Sequence, residues 1–126
     1  MSDFRSPTNY ERKIFDRLTE GEFDGQAEII EQLKNCLVSP IDDHPIPCLK
    51  IKTTCTTPAI TKSSVPTEAW GIDSDGSKIE FLLHVKTGFV STLEIVTYKD
   101  TEILSPPTPE NLELFQPYSK KFGVPR

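Results

Sequence analysis

Glu80, His84, Glu94 and Tyr98 fall at even spacing within residues 78–98. In extended chain that spacing turns side chains toward one face. A carboxylate beside an imidazole can exchange a proton with it, and two carboxylates facing each other need a cation from this chain or a partner. A three-residue connection, Lys86-Thr87-Gly88, predicts Glu80 directly opposite Glu94. It also sets His84 opposite Val90, with Thr92 on the diagonal. Lys78, diagonal to Glu94, offers an internal neutralising charge, so an ordinary polar network is the plain reading. The functional reading takes Glu80, His84, Glu94 and Tyr98 as a binding constellation that receives an Arg or Lys from elsewhere.

Other residues with chemistry in their side chains fit weaker patterns. Asp73-Ser74-Asp75-Gly76 begins like a calcium loop, but His84 stands where the closing bidentate Glu belongs, and a turn is the better reading. His44, Cys48 and Cys55 are soft-metal ligand types without the close pair of a zinc site, so no metal is assigned. Asp42-Asp43-His44 sets an acid beside a base in a Pro-rich loop, where Asp more often shapes the turn. Cys36 would need a neighbouring base to act as a nucleophile, and it is expected to be buried as a small apolar residue. The chain has no phosphate-cradling glycine loop, G-x-S-x-G elbow or H-E-x-x-H helix. Neither a cofactor nor a catalytic residue is therefore assigned.

The elements that must position these residues follow from periodicity. Residues 78–98 read as a β-hairpin with Phe81 opposite Leu93, Ile79 opposite Ile95 and Leu83 opposite Ser91, one nearly continuous apolar face. The other face mixes Lys78, Glu80, Leu82, His84, Val90, Thr92, Glu94, Val96 and Tyr98. Thr8 and Glu11 form a capping-box pattern before a helix over 9–20. Asp24 is the expected cap of a second helix over 26–35, with Ala27, Ile30 and Leu33 on its apolar stripe. Strands are expected at Leu37-Val38 and over 48–54, 65–72 and 102–104, with an irregular Thr-rich crossing before Val65. Thr108-Pro109-Glu110 predicts a short helix over 110–115. The sum is an α+β domain over 1–115, with two N-terminal helices on one face of an antiparallel sheet of four or five strands, then a tail over 116–126.

The 126 residues are 36% apolar and 26% charged, enough for one buried core, and the formal net charge is −5. Dispersed basic residues disfavour nucleic-acid and membrane binding, both of which draw on concentrated positive charge. No apolar run suits a signal peptide or a membrane span, and three cysteines without a CxxC pair suit reduced thiols. A cytoplasmic location is expected.

Glu68-Ala69, Asp73-x-Asp75-Gly76, Leu82-Leu83-His84-Val85, Gly88 and Leu93-Glu94-Ile95 together resemble a family of small bacterial proteins described as a domain of unknown function. The opening Arg5-x-Pro7-Thr8-x-x-Glu11 and the Ile41-Asp42 pair extend the likeness over most of the chain, with Trp70 standing where that pattern has a polar residue. The resemblance implies a cytoplasmic α+β protein and brings no activity. The residues themselves favour a non-catalytic protein-interaction or regulatory module working through the mixed face. The alternative is a small enzyme built on His84 and nearby carboxylates. A protein partner, a second copy, or the tail itself could cover that face, the tail through Phe115, Tyr118 and Phe122 with Lys120, Lys121 and Arg126.

Overall fold

The computed structural model describes residues 3–119. Helix α1 (Asn9–Leu18) starts where the capping box predicts: Thr8 Oγ1 accepts the Glu11 N–H at 3.1 Å and Glu11 Oε1 accepts the Thr8 N–H at 2.9 Å. Both bonds satisfy donors that a helix start leaves without partners. The Glu11 carboxylate is also clamped by Arg5 at 2.8 and 3.0 Å. Burial pushes the Glu11 carboxyl up, but the Arg5 and Thr8 hydrogen bonds together outweigh it and hold it below its ordinary value.

Helix α2 (Gln26–Lys34) is capped differently from expectation. Gly25, at φ +86°, is its N-cap and supplies no side-chain bond, while the Asp24 carboxylate pairs with Lys62 at 3.6 Å. A Cβ at Gly25 would meet Thr61 Cγ2 at 2.9 Å, because the Thr-rich crossing runs over the start of α2. The buried stripe is Ile29, Gln32 and Leu33, whereas Ala27 is exposed and Ile30 only half-buried. Both stripes have helical spacing; the core selects the one that carries a glutamine.

Six strands form one antiparallel sheet: β1 (Cys36–Pro40), β2 (Leu49–Thr53), β3 (Thr67–Ile72), β4 (Lys78–Lys86), β5 (Phe89–Thr97) and β6 (Glu113–Phe115), ordered β1-β2-β5-β4-β3-β6. The predicted hairpin is therefore central. The expectation of four or five strands is corrected to six, and the short helix over 110–115 is replaced by a 3-10 turn (Pro109–Asn111) followed by β6. Pro107 and Pro109 are buried and β3 offers an open edge, so three extended residues gain a partner that an isolated turn of helix would lack.

The expected strand over 102–104 is also absent. Leu104 and Ser105 give their N–H groups to the Asp73 carboxylate, each at 2.7 Å, which leaves them unavailable to a strand partner. Alternation puts Ile79, Phe81, Leu83 and Leu93 on the face beneath the helices, where they are buried with Ile14, Phe15, Leu18, Ile29 and Leu33. Gln32 is wholly buried in this core. Its Oε1 accepts the Val90 N–H at 2.9 Å, and its Nε2 donates to Gly88 O at 3.0 Å and Thr57 O at 3.1 Å. One amide side chain thus joins α2, the hairpin turn and the crossing loop. Among the described residues no helix is long and apolar enough to cross a membrane.

Candidate functional site

The geometry of the mixed face begins at the hairpin turn. Thr87 and Gly88 both have positive φ, +52° and +90°, so they are the two central residues of a tight turn with Lys86 paired to Phe89. A Cβ on Gly88 would come within 2.5 Å of Pro58 Cβ. Past Val85↔Val90 the register shifts, leaving Ser91 as an extra residue whose Oγ donates to His84 O at 3.2 Å.

The tighter turn and the bulge together move the pairing by two residues, an even number. Inward residues therefore stay inward, and Phe81 faces Ile95 instead of Leu93. The predicted pairings change more than the predicted faces. Glu80 lies opposite Val96, not Glu94; Glu94 lies opposite Leu82; His84 lies opposite Thr92, not Val90. The expected confrontation of two carboxylates does not occur. Val90, assigned to the mixed face, is a buried core residue, because the bulge sits between it and Thr92.

Each carboxylate instead has its own neighbour. His84 Nε2 and Glu94 Oε1 are 2.8 Å apart on the diagonal, both partly exposed. The Tyr98 hydroxyl donates to Glu80, and Lys78 Nζ lies 3.5 Å from the other Glu80 oxygen and 4.9 Å above the Trp70 ring. The hydrogen bond to Glu80 pushes the Tyr98 phenol above its ordinary value. Lys78 thus neutralises Glu80, on its own strand, rather than Glu94. Of the four assigned residues, the structure forms two separate pairs, Glu80 with Tyr98 and His84 with Glu94.

Sheet pairing enlarges the face beyond the hairpin. β3 and β6 add Glu68, Trp70, Ile72, Glu113 and Phe115, while β2 adds Lys50 and Lys52 and β1 adds Leu37. On this face Leu37, Ile72, Phe115 and Tyr98 keep 42%, 53%, 53% and 66% of their surface exposed. Glu68 is half-buried and, among the described residues, has no hydrogen bond or ion pair. Burial first, then the Glu80 charge, pushes its carboxyl up against the opposing charge of Lys78. No single strand's sequence announces this patch, since its members are far apart in the chain.

Around the loop between β1 and β2 lie two cavities of about 320 and 570 Å³, both lined by Asp42 and His44. Asp42 accepts the N–H groups of His44 and Cys48 at 3.0 and 3.2 Å, the turn role expected for it. His44 Nδ1 meets Glu102 Oε1 at 2.6 Å, a pairing across 58 residues that raises the His44 pKa through that bond first. Cys48 accepts the Ile95 N–H through Sγ at 3.2 Å, and burial pushes its thiol up, away from a reactive thiolate. Cys36 is buried, as expected, and Cys48 and Cys55 flank opposite ends of β2. His84 lines neither cavity.

Asp73 is the functional-looking residue with the least revealing sequence context. Its side chain is fully enclosed, accepting from the backbone of Ser74, Leu104 and Ser105 at 2.7 Å each and from Lys99 Nζ at 2.6 Å. Burial alone would raise its pKa, but these donors together hold it far below the usual carboxylate range; Lys99 first, with Ser77, brings Asp75 to about 2. This cluster fixes the 99–105 loop and thereby one wall of the smaller cavity.

Comparison with family models, curated proteins and solved structures finds no match to this chain.

Proposed function

We propose that the chain is a non-catalytic protein-interaction module that docks through the open face of its sheet. The observation that carries this reading is the composition of that face: exposed Leu37, Ile72, Tyr98 and Phe115 surround half-buried Leu82, Trp70 and Val96, with carboxylates set among them. Apolar anchors ringed by polar groups are the chemistry of protein interfaces. A cytoplasmic location belongs to the same reading and is supported by three thiols with no disulfide among them. The likeness to a bacterial domain family stands beside it as a proposal of ancestry.

A photo-crosslinking residue placed at Leu82 or Val96, with Lys13 on α1 as the control position, tests the reading in intact cells. Protein adducts from the sheet positions and none from position 13 support it. Equal yields from both layers, or none from the sheet, overturn it.

A second reading, proton transfer on a small substrate, is favoured by the 2.8 Å His84–Glu94 pair. Binding leads because this pair lies on a sheet surface rather than in a cavity. Turnover that disappears in His84→Ala at unchanged thermal stability would reverse the order.

A further inference from the structure

We draw no further inference here: the strongest candidate, the open face of the sheet around Leu82 and Trp70, carries none, because nothing in the structure shows what covers it, and Lys120, Lys121, Phe122 and Arg126, assigned to that role from the sequence, lie outside the described residues.

Discussion

Phe81 and Leu82 are neighbours in β4, yet Phe81 is wholly buried beneath the helices and Leu82 is half-buried among Glu94, Glu68 and their surroundings on the opposite face. The inner face is continuous and closed by α1 and α2, and the wholly buried Gln32 uses its amide there in three directions. The open face carries apolar groups of similar size, but interleaves them with charges that find only local partners. The first face is built for the chain's own stability, whereas the second has chemistry that folding leaves unspent.

Phe81→Ala should break that difference most severely, lowering stability by about 3–5 kcal/mol in denaturant titration because the rigid sheet cannot collapse into the cavity. Leu82→Ala, measured alongside, should cost about 1 kcal/mol or less. Equal losses at the two positions would mean that the faces are not distinct. Gln32→Leu keeps the bulk but strands the Val90 N–H and two carbonyls, and it should cost about 1–3 kcal/mol. A neutral outcome would show that water replaces the amide there.

Acid sharpens the comparison at the rim. Asp73 and Asp75 have folded values below the unfolded carboxylate value of about 3.9, so their contribution is complete above that pH and lost as pH falls through the folded values, about 2 for Asp75. The amide NMR signals of Leu104 and Ser105 should therefore move below about pH 3, before those of Phe81 and Leu93. Simultaneous change would make the cluster part of the global core.

The smallest effect belongs to His44. Its raised value means that the Glu102 contact is stabilised below the unfolded value of about 6.5 and is lost as pH rises through the folded one. The imidazole titration of His44 should shift downward in Glu102→Gln without a change in thermal midpoint, since both groups are exposed. An unmoved titration would remove the pair as a feature of the cavity.

The two faces of the central hairpin were legible because alternation is local: residues two apart share a face whichever neighbour the strand acquires. The pairing within it was not, since Thr87 accepted a positive φ and Ser91 was squeezed out of the ladder, neither of which hydrophobic pattern encodes. Likewise Thr8 and Glu11 announced α1, where the capping partners lie three residues apart. Asp24 is not the cap of α2, because Gly25, with its positive φ, takes the N-cap position one residue later.

The same division holds for the candidate site. The sequence by itself determined the α+β class, the central hairpin and the mixed character of its outer face, all consequences of side-chain period and helix-end chemistry within a few residues. Tertiary structure alone decided that Glu80 meets Tyr98 and Lys78 instead of Glu94, that β6 is a strand, and that Asp73 anchors a distant loop. Those outcomes depend on which backbone donors and sheet edges remain available once the rest of the chain is in place, and that competition is long-range.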